Sequence, residues 1–166
     1  IRRRFSFLRL NPDIQFAANR LGYGDFSGDS LTWKADAERD LDQGQPLGHR
    51  LQAATALAVE KINTKLLRET DIPQGKQIGH TYILTGKRDE EGPSPDELRS
   101  IWHHKLFPLL EEFFYNDFRT LQETVFENTT ILFDEETQSF ADLSPVELVE
   151  GLTNFVGQPS SASQTV

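Results

Sequence analysis

Leu47-Gly-His-Arg-Leu-Gln-Ala-Ala-Thr-Ala-Leu-Ala-Val-Glu-Lys-Ile-Asn-Thr-Lys-Leu-Leu-Arg-Glu69 carries one periodicity over its whole length. Leu51, Ala54, Ala58, Ile62 and Leu66 recur at steps of three and four, with Val59 beside them. That spacing predicts a helix over about 47–69 with one face in a core. Asn63 interrupts an otherwise apolar helix, and its amide is suited to cap a neighbouring segment. Asp71-Ile-Pro-Gln-Gly75 breaks the helix.

Towards the carboxy terminus, Gln77-Ile-Gly-His-Thr-Tyr-Ile-Leu84 is compact and mostly apolar, and a polar loop runs on to Gly92. Ser94-Pro-Asp-Glu97 has the form of a capping box with proline at the first helical position. The helix it opens carries Leu98, Ile101, Trp102, Leu106, Leu109 and Leu110, and Pro108 should kink or divide it. Leu110, Phe113, Phe114 and Tyr115 read as core. A further helix is expected at Phe118–Phe126. Thr129–Phe133 and Phe140 suit a small hairpin around Asp134-Glu-Glu-Thr137. Ser144-Pro-Val-Glu147 repeats the capping box and opens a last helix to about Val156. From Gly157 onward the chain is small and polar, as a disordered tail is.

Towards the amino terminus, residues 22–46 are rich in Gly, Asp, Ser and Gln and read as a polar loop or insertion, with Trp33 as its large anchor. Asn11-Pro-Asp13 is turn chemistry. Asp13 can cap a short helix, Ile14–Leu21, that Gly22 ends. Ile1-Arg-Arg-Arg-Phe-Ser-Phe-Leu-Arg-Leu10 reads as a buried strand with three guanidinium groups at its mouth. One strand cannot satisfy its own backbone groups, so this one calls for strands beyond the chain, or for Thr129–Phe133. The chain also opens in mid-motif, and the expectation is a piece of something larger.

Composition narrows the function. The chain has 166 residues, 26 acidic against 17 basic, a formal charge of -9, and 37% hydrophobic residues. Phosphate contacts need a basic surface, so this segment is a poor non-specific nucleic-acid binder outside Arg2–Arg4. It has no cysteine, which excludes disulfides and thiolate metal sites. No run of 18 apolar residues offers a membrane span. The default address is cytoplasmic.

Four blocks, in order, carry a family resemblance: Arg2-Arg-Arg-Phe-Ser-Phe7, Ala58-Val-Glu-Lys-Ile-Asn-Thr-Lys65, Ile78-Gly-His-Thr-Tyr82 and Pro108-Leu-Leu-Glu-Glu-Phe-Phe-Tyr-Asn-Asp117. Together they resemble the carboxy-terminal part of McrB-type AAA+ NTPases, the motor subunits of modification-dependent restriction systems. Thr81 stands where that pattern has serine, Ile83 where phenylalanine is common, and Gln77 where a basic residue can occur. Another AAA+ branch, MoxR or dynein-related, shares the Arg-Arg-Phe strand but not the Ile-Gly-His and Pro-Leu-Leu-Glu-Glu blocks. A different class of reading is a non-catalytic helical interaction module.

The resemblance implies a mainly α chain, the carboxy-terminal fragment of an α/β AAA+ module. The end of the core would be 1–21, the polar insertion 22–46, the helical lid 47–128, a small β element with the final helix 129–156, and the tail 157–166. It implies binding of GTP or ATP with Mg²⁺ by the full-length protein and none by the fragment alone, since no GxxxxGK[ST] loop occurs among the 166 residues. It implies self-assembly into a ring, a hexamer, that drives a McrC-like endonuclease on modified DNA, with DNA contacted by other domains.

The candidate site residues follow. By resemblance, Arg3 and Arg4 are trans arginine fingers; the bland alternative is a solvated basic cap on a strand. Gly79 and His80 belong to a nucleotide-facing lid segment, or else His80 is a structural histidine satisfied by backbone carbonyls. Glu111 and Glu112 are adjacent and point to different helix faces, which speaks for a solvated face over an acid/base pair. No metal site is expected: His49, His103 and His104 lack ligand spacing with carboxylates.

Overall fold

The computed structural model describes residues 32–68, 77–79, 93–127 and 129–157. The expected strand with Arg3 and Arg4, the helix at 14–21, His80 and the tail beyond 157 lie outside the described residues. Within them the fold is mainly helical, with one two-stranded antiparallel sheet.

The periodic run forms α2, Leu47–Arg68, after the shorter α1, Thr32–Asp40. Leu51, Ala54, Ala58, Ile62 and Leu66 are buried as expected, but so are Ala53, Ala56, Leu57 and Val59. A helix apolar on all sides must be surrounded. Here α1 covers one side, while α3 (Pro95–Ile101) and α6 (Pro145–Gly157) cover others. The alanines let these neighbours approach closely.

The polar loop expected over 22–46 is corrected in part, because its residues 32–40 are helical. Trp33 and Ala37, one turn apart, are buried against α2, and Lys34 pairs with Glu60 at 2.7 Å. Polar composition concealed this two-residue apolar stripe. Such a short helix is marginal alone and forms because α2 offers a surface to cover.

Beyond α3 the chain does not break before Pro108. It widens into a π turn, Trp102–Leu106, in which the Phe107 N–H donates to the Trp102 carbonyl, and then resumes as α4, Phe107–Phe113. Proline supplies no N–H and its ring crowds the preceding turn; the wider turn is how this helix passes it. The buried indole of Trp102 donates to Thr55 Oγ1 at 2.9 Å, which pins the turn to α2.

Helix α4 ends in a Schellman-type cap. Asn116 N–H donates to Glu111 O at 2.9 Å and Tyr115 N–H to Glu112 O at 3.1 Å. Tyr115 (φ 54°) and Asn116 (φ 61°) are both left-handed. Phe113 and Phe114 are buried, but Tyr115 is 80% exposed, so the core reading fails for that residue. The cap turns its side chain away from the helix face that Phe113 occupies. Asp117 then caps α5, Phe118–Thr124, accepting from the Thr120 N–H at 3.1 Å and hydroxyl at 2.8 Å.

The hairpin pairs β1, Phe133–Asp134, with β2, Ser139–Phe140, in the register Phe133 to Phe140 and Asp134 to Ser139. A 3₁₀ turn, Thr130–Leu132, precedes it. Phe140 stacks on Phe107 at 3.8 Å between ring centroids, and Phe126 lies 5.0–5.6 Å from Phe133, Phe140 and Phe155. Helix α6 closes this aromatic cluster with Leu148, Val149, Leu152 and Phe155. A Cβ at Gly151 would lie 2.4 Å from Leu132 Cδ2, so only glycine allows this approach. The two expected capping boxes differ. Ser144 and Glu147 bond reciprocally at 2.7–3.4 Å, whereas Ser94 makes no side-chain cap bond and leaves the start of α3 to Pro95.

Candidate functional site

Asn63 is 4% exposed on α2. Its Nδ2 donates to the Ile78 carbonyl at 3.0 Å, and the Ile78 N–H donates to its Oδ1 at 2.7 Å. One side chain thus satisfies both backbone groups of one residue, as a neighbouring strand would. Asparagine alone combines donor and acceptor at this length, whereas leucine has neither and aspartate lacks the donor. Each bond contributes about 1 kcal/mol net, but leaving either buried group of Ile78 unmatched would cost about 1–3 kcal/mol. The Ile78 side chain is itself fully buried. The capping role read for Asn63 therefore has a defined recipient, the residue before Gly79. Gly79 is half-buried and follows directly on this anchored residue.

Two lysines flank Asn63 on the same helix. Lys65 Nζ bonds Glu127 Oε1 at 2.7 Å, with the lysine side chain 2% exposed and the glutamate 14%. Lys61 Nζ stands 3.4 Å from Glu127 Oε2, donates to the Phe155 carbonyl at 2.7 Å and lies 4.7 Å above the Phe155 ring. Lys61 thereby serves the carboxy-terminal end of α6, where a cation is favoured by the helix dipole. Glu127 itself holds φ 52°. Burying such ions costs several kcal/mol, which the 2.7 Å contact on Oε1 and the longer 3.4 Å ion pair on Oε2 offset in part. Its role is geometric: α2 is tied at one level to the end of α5 and to the end of α6. Sequence reasoning missed this unit. Its signal was a pair of lysines one turn apart on a helix that is apolar all round.

Among the described residues, Glu111, Glu112, Asp134 and His103 have structural partners. Glu111 and Glu112 supply the carbonyls of the α4 cap, with Glu111 half-buried and Glu112 exposed. The Asp134 carboxylate accepts from the Glu136 and Thr137 N–H groups at 2.9 and 3.3 Å and is spent on the turn. His103 sits edge-on to Phe107, 5.5 Å between centroids. Burial, and next the nearby Arg99 guanidinium, hold its imidazole below the ordinary histidine range.

The structure leaves the proposed chemistry to residues elsewhere. Arg3, Arg4 and His80 lie outside the described residues, so no geometry relates them to Gly79. Among the described residues no three His, Asp or Glu side chains come together in a way that could hold a metal ion. A surface groove of about 440 Å³ beside the Asn116–Phe118 turn is lined by Asp117, Glu123 and Glu135, with Arg119 already bound to Glu123 at 2.7 Å. An acidic lining of this kind repels a triphosphate. No helix among the described residues is long and apolar enough to cross a membrane.

Residues 54–128 match the family model for McrB, alpha-helical lid domain. No curated protein and no solved structure matches the chain. The matched span starts within α2, includes Asn63 and Ile78, and ends beside Glu127. It covers the two lysines, the π turn and the cap at Tyr115. Over residues 54–128 the helical unit built around α2 is thus similar to the alpha-helical lid of McrB, which supports a McrB-like AAA+ context.

Proposed function

We propose that this chain is the carboxy-terminal portion of a McrB-like AAA+ NTPase, supplying the lid together with the arginine-bearing edge that serves a neighbouring subunit. The match of residues 54–128 to the McrB lid carries this reading. The full-length protein binds GTP or ATP with Mg²⁺ through an upstream phosphate loop and hydrolyses it at subunit interfaces of a hexameric ring. Arg3 and Arg4 reach across one interface. In the transition state, charge accumulates on the γ-phosphoryl oxygens, and a guanidinium from outside the binding subunit stabilises it, by roughly 10³–10⁵ in rate for comparable systems. Arginine suits this role because it stays protonated and its planar fork matches phosphate oxygens. Gly79 and His80 belong to the segment that the lid presents to nucleotide. Turnover powers a McrC-like endonuclease in the cytoplasm on modified DNA, which is bound by other domains. The net charge of -9 on this chain agrees with that division of labour.

The test is Arg3→Ala and Arg4→Ala in the full-length protein. The expected outcome is nucleotide binding within about twofold of wild type, with turnover reduced by 10²-fold or more, on the order of one lost arginine finger. Mixing each variant with a subunit defective in its phosphate loop should restore partial activity, because the two defects fall on opposite sides of an interface. Unchanged turnover would refute the finger assignment.

A further inference from the structure

We infer that Asn63 is a positioning residue: it makes Ile78–Gly79 part of the rigid body of α2, so that the lid presents this step to nucleotide in one fixed place. The inference rests on the NTPase reading and deepens it. Its physical ground is the doubled bond. A single hydrogen bond would leave Ile78 free to pivot, whereas the N–H and carbonyl contacts at 2.7 and 3.0 Å set both position and direction. Partner and recipient are 15 residues apart and both buried, so the contact is tertiary. Helix α2 is in turn held on either side of Asn63, by Lys61 to the Phe155 carbonyl and by Lys65 to Glu127. A displacement of the lid frame is therefore passed to the Ile78 backbone through one amide.

The experiment uses the full-length protein and its Asn63→Asp variant, with MgATP and MgGTP as probes. This change keeps the acceptor for the Ile78 N–H and turns a second oxygen on the Ile78 carbonyl. The expected result is a KM raised about tenfold with kcat within about twofold, the pattern of lost ground-state positioning. The defect should shrink as pH falls from about 8 to about 6, since a buried carboxyl has a raised pKa and, once protonated, can donate to the carbonyl again. A lower melting temperature with unchanged KM would overturn the inference, because Asn63 would then only hold the fold. If the variant fails to fold, amide exchange on wild type decides. The Ile78 amide should match the protection of its α2 neighbours both with and without a non-hydrolysable nucleotide, and a lone loss of protection on binding overturns the role. Absence of wild-type turnover with either nucleotide would sink the NTPase reading and this role with it. Wild-type turnover with an unchanged KM in the variant would sink the role alone.

Discussion

At the scale of single residues, backbone conformation is as informative as side-chain chemistry. Tyr115, Asn116, Glu127 and Gln138 all hold positive φ without being glycine. Asparagine tolerates that region, but a tyrosine there is strained, at a cost of about 1 kcal/mol. Glu127 is compensated by its lysines, whereas the Tyr115 side chain is largely exposed. Tyr115→Gly should therefore stabilise the fold by about 0.5–1 kcal/mol, read as a higher urea midpoint. A lower midpoint would show that the ring contributes more than its exposure implies. Gly151 is the opposite case, a helical glycine that stands where Leu132 leaves no room for a methyl group.

At the scale of elements, two helix starts and the hairpin turn hold carboxyls below their ordinary range. The Ser144 hydroxyl and N–H hold the Glu147 carboxyl below the ordinary range. The Thr120 N–H and hydroxyl do the same for Asp117, as does Thr137, with Glu136, for Asp134. A carboxyl with a lowered folded pKa contributes stability that is present above its unfolded value, near 4, and is lost as pH falls through the folded value. Unfolding midpoints should accordingly be flat with respect to these groups from pH 7 to about 4.5 and fall below about pH 4. Glu147→Gln should remove part of that acid slope while leaving the midpoint at pH 7 nearly unchanged, because the amide oxygen can still complete the box. An identical slope in the variant would show that the box does not couple to acid unfolding.

At the scale of the whole molecule, the core does not stop where the matched lid segment stops. Phe126 and Lys61 reach Phe155 of α6, and Phe107 stacks on Phe140 of the hairpin. A chain ending at residue 128 would expose Phe126, Phe107 and the α2 face that α6 covers. Each large apolar side chain so exposed forfeits about 1.5–3 kcal/mol, against a total stability of about 5–15 kcal/mol for a domain. That truncated form should lose cooperative unfolding and bind a hydrophobic dye, while the form ending at 157 unfolds in one transition. Cooperative unfolding of the shorter form would show that 129–157 is an accessory layer.

What the sequence determined by itself was whatever depends on near neighbours along the chain. The period of α2, the proline start of α3, the box at Ser144 and the turn at Asp134 follow from residues within a few positions of each other, so they were legible. So was the odd position of Asn63, an amide on a largely apolar helix, although not the residue it would hold. Only the tertiary structure decided the helix at Thr32–Asp40, the pairing of Lys65 with Glu127, the outward turn of Tyr115 and the passage of the chain past Pro108. The helix, the ion pair and the passage past Pro108 each balance a local cost against burial on a surface assembled from distant segments, and that surface exists only once α2, α3 and α6 have met.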